Sequence, residues 1–132
     1  MLKLIIGNRA YSSWSMRGWL ACKQSGAEFD ELVVPLFDAE WDKRRGGSEF
    51  APSGKVPILW DGECVVWDSL AIVEFLADRF GRELYWPQDD AARGMARPMA
   101  AEMHSTFANL RRELPMNVRK SYPPRALSDE VK

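Results

Sequence analysis

The sequence predicts an α/β domain followed by the beginning of an all-helical segment, and three patterns support this. A strand, a helix and a second strand follow one another at the start of the chain, as in a βαβ unit. Two apolar runs on either side of Asp61-Gly62 then predict a hairpin, and a helical pattern follows it directly. From residue 89 to residue 114 the apolar residues keep helical spacing and no further strand is indicated.

The first three elements follow from local signals. The run from Leu2 to Ile6 is almost continuously apolar, as expected of a strand covered on both faces. A helix is predicted from Trp14 or Ser15 to Gln24, because Ser25-Gly26 supplies the usual C-terminal stop. The β-branched pair Val33-Val34 then marks the centre of a second strand, Phe29 to Leu36.

The middle of the chain is predicted to hold a loop, the hairpin and a second helix. Residues 37 to 50 are polar and contain glycines, so we expect a loop with one short helical turn at Trp41 to Arg44. The hairpin strands are predicted at Val56 to Trp60 and Glu63 to Trp67. The next helix begins at the capping pair Asp68-Ser69 and stops before Gly81.

The rest of the chain is predicted to be a linker, residues 82–88, and the first part of a helical domain, residues 89–132, after an α/β domain of residues 1–81. One helix is predicted from Asp89 to Leu114, bent at Pro98 and ended by Pro115. It carries one apolar stripe: Ala96, Met99, Met103, Phe107, Leu110 and Leu114. Because such a stripe needs a cover, we expect either a longer protein or a second chain, and a homodimer is the favoured partner.

Composition excludes several classes of protein. A net charge of −1 gives no reason to expect nucleic acid or an anionic membrane as partner. No apolar run approaches the length of a membrane-spanning helix, and the start lacks a signal-peptide pattern, so a cytoplasmic protein is expected. Cys22 and Cys64 form no C-x-x-C pair and are expected to be buried free thiols, while a lone His104 argues against a multi-histidine metal site.

Two dipeptides in the middle of the chain resemble a known ligand site. Val56-Pro57 before the hairpin and Asp68-Ser69 at the helix start resemble the N-terminal domain of glutathione transferases, which has a thioredoxin-like fold in the order βαβαββα. The resemblance implies a cis bond at Pro57, pairing of the Val56 backbone with glutathione, and binding of its γ-glutamyl end by Asp68 and Ser69. Taken singly, each dipeptide is more readily an ordinary strand start or helix cap, and the resemblance depends on their occurring together in this order. Lys55 either pairs with the glycine carboxylate of glutathione or is a solvated surface lysine.

The loop from Tyr11 to Leu20, YSSWSMRGWL, resembles the S-x-x-S-x-R pattern of serine-type glutathione transferases, in particular the zeta and tau classes and related bacterial enzymes. This implies Ser12 as the catalytic serine, Ser13 as a glutathione-binding neighbour and Ser15 as the second serine. The zeta class usually has Cys where Trp14 stands, which weakens any specific assignment as maleylacetoacetate isomerase. The alternative is that the serines only cap the helix, and Arg17 is expected to support structure or a domain contact.

The function implied is therefore glutathione transfer to a small, soft electrophile, or glutathione-assisted isomerisation. A non-catalytic binding or regulatory module of the same fold is the alternative, and a cysteine-type reductase is disfavoured because Ser12 stands at the catalytic position. Glutathione would be the co-substrate, and no metal is expected. His104 either lines the electrophile pocket or, as the favoured interpretation, is a polar edge of its helix. Three aromatic residues are expected in the site walls, in the core or at an interface: Trp14, Phe37 and Trp41.

Overall fold

The computed structural model describes all 132 residues and contains one mixed four-stranded sheet. Its strands are β1 (Leu2–Ile6), β2 (Phe29–Val33), β3 (Ile58–Asp61) and β4 (Cys64–Trp67), in the order β2-β1-β3-β4. Strand β1 is parallel to β2 and antiparallel to β3, and β3 is antiparallel to β4. The predicted βαβ unit and hairpin are thus confirmed, and the fold is thioredoxin-like.

Five α-helices accompany the sheet. They are α1 (Ser13–Gln24), α2 (Ala39–Arg44), α3 (Ser69–Phe80), α4 (Asp90–Ser105) and α5 (Ala108–Glu113). Short 3-10 helices at Ser48–Phe50 and Arg82–Leu84 lie in the stretches predicted as loop and linker. None of the helices combines the length and apolar character that a membrane crossing requires.

The core has two parts, one on each face of the sheet. Side chains of β1 alternate between them, so that Leu4 packs with α1 and α3 while Ile5 packs with Trp41 and Phe50 on the opposite face. Both residues are fully buried, which explains why the first strand is apolar without alternation.

Helix α1 lies very close to the residue before β3. A Cβ atom at Gly18 would lie 2.8 Å from the Cβ of Pro57, a distance that glycine alone allows. Both residues are buried. This contact holds the first turns of α1 next to the Val56-Pro57 dipeptide.

Two aromatic residues anchor the linker. The Tyr85 hydroxyl donates a hydrogen bond of 2.8 Å to the Ala21 carbonyl, and Trp86 is buried. The domain boundaries at residues 81 and 89 stay predictions.

The prediction of a single helix from Asp89 to Leu114 is wrong, because the structure contains two helices there, α4 and α5. The hydroxyls of Ser105 and Thr106 donate to the carbonyls of Ala101 and Glu102, one turn earlier. Phe107 then has a φ of 62°, in the left-handed region, and the helical path stops. Pro98 does lie inside α4, as predicted.

Two further expectations are corrected. Strand β2 ends at Val33 instead of Leu36, because its only partner strand, β1, ends at Ile6; the last backbone bond between them runs from the Val34 N–H to the Ile6 carbonyl at 2.8 Å. Cys64 is exposed instead of buried, because it opens the edge strand β4 beside the hairpin turn. Cys22 is buried, as expected.

Candidate functional site

A cleft of about 590 Å³ opens between the starts of α1 and α3 and the segment before β3. The residues that line it are Trp14, Ser53, Lys55, Val56, Pro57, Trp67, Asp68, Ser69 and His104. The structure therefore brings together Lys55, Val56, Pro57, Asp68 and Ser69, all named from the sequence. Ser12 and Ser13 lie at the beginning of α1 and are not among the lining residues.

The start of α3 presents a carboxylate and a hydroxyl to the cleft. Asp68 caps the helix, since its Oδ1 accepts from the N–H groups of Leu70 at 2.9 Å and Ala71 at 3.2 Å. Its φ of 78° lies in the left-handed region, which is uncommon for a residue other than glycine. The neighbouring Ser69 is 3% exposed, and its hydroxyl has no hydrogen-bond partner within the chain. A buried polar group without a partner is costly, so this corner suits a polar ligand.

The opposite wall is the segment before β3. The Val56-Pro57 bond is cis, as predicted, and Pro57 is buried against Gly18. Ser53, which sequence reasoning did not single out, accepts from the Lys55 N–H at 3.1 Å and donates to the Lys55 carbonyl at 3.3 Å. Lys55 itself is exposed and is therefore free to meet a carboxylate at the rim of the cleft.

Ser12 caps α1 and belongs to a short chain of hydrogen bonds. Its Oγ accepts from the Ser15 N–H at 3.2 Å and lies 2.9 Å from the Ser15 Oγ. The Ser15 Oγ, which is buried, accepts from the Gly7 N–H at 2.8 Å. Because hydroxyl hydrogens rotate, Ser15 can donate to Ser12 and leave the Ser12 hydrogen for a third partner. The capping alternative and the donor role are therefore compatible in geometry.

His104 reaches the cleft from the end of α4, although the sequence favoured a polar helix edge. Its Nε2 lies 2.9 Å from the Oδ2 of Asp68, and its ring meets the Trp14 ring edge-on at 5.2 Å. No local pattern could reveal this, because the three residues come from distant parts of the chain. The remaining aromatic candidates lie elsewhere: Trp41 is in the core, and Phe37 is 92% exposed.

Comparison with known proteins shows which family this chain resembles. Residues 11–79 match the family model described as "Glutathione S-transferase, N-terminal domain". Glutathione S-transferase GstB of Escherichia coli (strain K12) is 32% identical over 74 residues, which are 54% of this chain and 36% of that protein. The chain spans 20% to 45% of the lengths of the curated relatives it matches.

Solved structures agree with this match. The theta class glutathione S-transferase from the citrus canker pathogen Xanthomonas axonopodis pv. citri, solved with glutathione bound, has a TM-score of 0.66 at 27% identity over 86% of this chain and 53% of that chain. A glutathione transferase homolog from Burkholderia GL BGR1, with bound glutathione, has a TM-score of 0.68 at 24% identity and supports the fold alone; the match covers 85% of this chain and 60% of that chain. Because the family model matches more than half of the 132 residues, this chain belongs to the glutathione S-transferase family.

Proposed function

We propose that the chain binds glutathione in the cleft and activates its thiol for attack on a soft electrophile. The observation that carries the proposal is the corner at the start of α3, where the buried Ser69 hydroxyl has no partner beside the Asp68 carboxylate. The γ-glutamyl end of glutathione carries an ammonium group and a carboxylate. The ammonium suits Asp68, and the carboxylate can accept from the Ser69 hydroxyl.

The other parts of the tripeptide have matching groups in the same cleft. Val56 precedes β3, so its backbone is available to pair with an extended peptide. Lys55 carries a positive charge at the rim, which suits the glycine carboxylate. These assignments, together with Ser13 as a neighbour of the thiol, are part of the proposal.

Ser12 would supply the chemistry by donating to the thiolate. A free thiol has a pKa near 8.5 and is only a few per cent ionised at neutral pH. A hydrogen bond to the charged form is worth about 1.5–3 kcal/mol, and the N-terminus of α1 adds about 0.3–1 kcal/mol. Their sum is enough to lower the pKa by about two units, which makes most of the thiol ionised. Assignment to the serine type stays part of this proposal.

A non-catalytic binding module is the second candidate, and one observation favours it. Ser12, the proposed donor to the thiolate, is not among the residues that line the cleft. Calorimetric titration with glutathione and ultraviolet titration of the bound thiol separate the candidates. A transferase binds glutathione and lowers its thiol pKa, a binding module binds glutathione without shifting the pKa, and absence of binding contradicts both.

We also propose that a second copy of the chain covers the apolar stripe of α4 and α5. Met99 is 60% exposed, Phe107 50% and Leu110 41%, so this surface costs free energy in water. Sedimentation should show a dimer that Met99→Glu weakens, whereas Arg119→Glu, on the exposed tail, should leave it intact. A monomer at all concentrations would exclude the second copy as the cover.

A further inference from the structure

Two arginines contact the tryptophan at the edge of the cleft. The guanidinium carbon of Arg17, from α1, lies 4.2 Å from the centre of the Trp14 ring, and that of Arg111, from α5, lies 4.7 Å from it. Both side chains are partly buried. Helices that are far apart in the sequence thus deliver two positive charges to one residue that lines the cleft.

Neither guanidinium is neutralised by a salt bridge. Arg17 donates to the Met103 Sδ at 3.2 Å, and Arg111 donates to the backbone carbonyls of Thr106, at 3.1 Å, and of Met103. These acceptors carry no charge. By contrast, Arg112, the next residue along α5, pairs with Glu130 at 3.2 Å.

The pair is electrostatically unfavourable without an anion. Burial lowers the pKa of Arg17, the charge of Arg111 lowers it further, and Asp68 only partly offsets these effects. Asp68 is also engaged elsewhere, since its Oδ1 caps α3 and its Oδ2 lies 2.9 Å from His104. Neither arginine is among the residues that line the cleft, but both contact Trp14, which does, so a negative group bound at the Trp14 edge of the cleft would reduce the repulsion between them.

We propose that the second substrate of this site is an electrophile that carries a carboxylate, and that Arg17 and Arg111 bind that carboxylate beside Trp14. The proposal rests on the proposed function, because it assumes that glutathione occupies the adjoining part of the cleft. Guanidinium groups present planar, paired donors that match the two oxygens of a carboxylate. Trp67, which is 43% exposed in the same cleft, offers an apolar surface to the rest of the molecule.

The test compares the binding of two glutathione derivatives that differ only in charge. S-(4-carboxybenzyl)glutathione and S-(4-carbamoylbenzyl)glutathione have nearly the same shape, and calorimetry measures their affinities without any turnover. For the parent chain we expect the carboxylate to bind about tenfold more tightly, as one charge-assisted contact provides. High salt should reduce this preference, because it screens partly exposed charges.

Variants assign the preference to the two arginines. Arg17→Met and Arg111→Met should each reduce the ratio of the two affinities several-fold, while Arg112→Met should leave it unchanged because Arg112 is paired with Glu130. Equal affinities in the parent, or a ratio that neither variant lowers, would overturn the proposal. The ratio of the two affinities in the parent chain, and the dependence of that ratio on salt, test the carboxylate site even if a variant fails to fold.

The same experiment separates this proposal from the one on which it rests. If glutathione and the carbamoyl derivative bind but the carboxylate adds nothing, the carboxylate site is refuted and glutathione binding stands. If neither derivative nor glutathione binds, both proposals fall.

Discussion

Replacing Ser12 by alanine tests whether the start of α1 activates a bound thiol. The substitution removes the Oγ that accepts from the Ser15 N–H at 3.2 Å and lies 2.9 Å from the Ser15 Oγ. It leaves the wall formed by Val56 and the corner at Asp68 and Ser69 intact. We therefore expect glutathione to bind with little loss while its thiol becomes harder to ionise.

The size of the effect follows from the bond that is lost. A hydrogen bond to a charged group is worth about 1.5–3 kcal/mol, and 1.36 kcal/mol corresponds to one pKa unit, so the thiol pKa should rise by about one to two units. Loss of the helix cap costs a further 0.5–2 kcal/mol, roughly, in the free energy of unfolding. Turnover at neutral pH should therefore fall far more than affinity.

The assay is a pH titration of thiolate absorbance in the complex with glutathione, for the parent and three variants. Ser12→Thr keeps a hydroxyl and should titrate near the parent. Ser13→Ala tests the register of the loop, because a pKa shift in Ser13→Ala and not in Ser12→Ala would assign the donor role to Ser13. Ser15→Ala is a poor control, since it would leave the Gly7 N–H without its 2.8 Å partner. If Ser12→Ala titrates like the parent, Ser12 does not activate the thiol.

Three further predictions concern packing, charge and thiols. Gly18→Ala should lower the free energy of unfolding by about 1–3 kcal/mol and weaken glutathione binding, because the new Cβ would lie 2.8 Å from the Cβ of Pro57. An unchanged free energy of unfolding in denaturant and an unchanged glutathione affinity by calorimetry would contradict this. The hydrogen bond from Lys3 lowers the pKa of Glu49, so this stabilisation is present above the unfolded pKa of about 4.3 and is lost as the pH falls through the folded value. Lowering the pH should therefore reduce the free energy of unfolding of the parent more steeply than that of Glu49→Gln. Parallel curves of this free energy against pH would refute the contribution of Glu49. Burial raises the pKa of Cys22 to about 12, whereas Cys64 is exposed, so a thiol reagent at neutral pH should modify one cysteine in the folded chain and both after denaturation.

Much of the fold could be predicted because its signals are local. The Asp61-Gly62 turn, the Asp68 cap and the Gly81 stop each act within a few residues, and the structure places β4 and α3 accordingly. The division of the last helix escaped prediction for the same reason. The apolar spacing continues from Met103 through Phe107, while the left-handed φ of Phe107 interrupts the backbone without changing that spacing.

The same distinction between local and long-range signals applies to the candidate site. The sequence alone identified Val56-Pro57 and Asp68-Ser69, because each is a pair of adjacent residues at the start of a predicted strand or helix. The hydrogen bonds that join Ser12, Ser15 and Gly7 could be predicted only in part. The S-x-x-S-x-R pattern identifies the two serines, but it does not indicate that the Gly7 N–H donates to Ser15.

The sequence by itself determined the strand order along the chain, the helix caps and the dipeptides that form the two walls of the cleft. Only the tertiary structure decided that His104 meets Asp68, and that Arg17 and Arg111 meet at Trp14. The physical reason is that caps and turns depend on neighbours a few residues away. The charges around Trp14, by contrast, come together only when α4 and α5 pack beside the cleft.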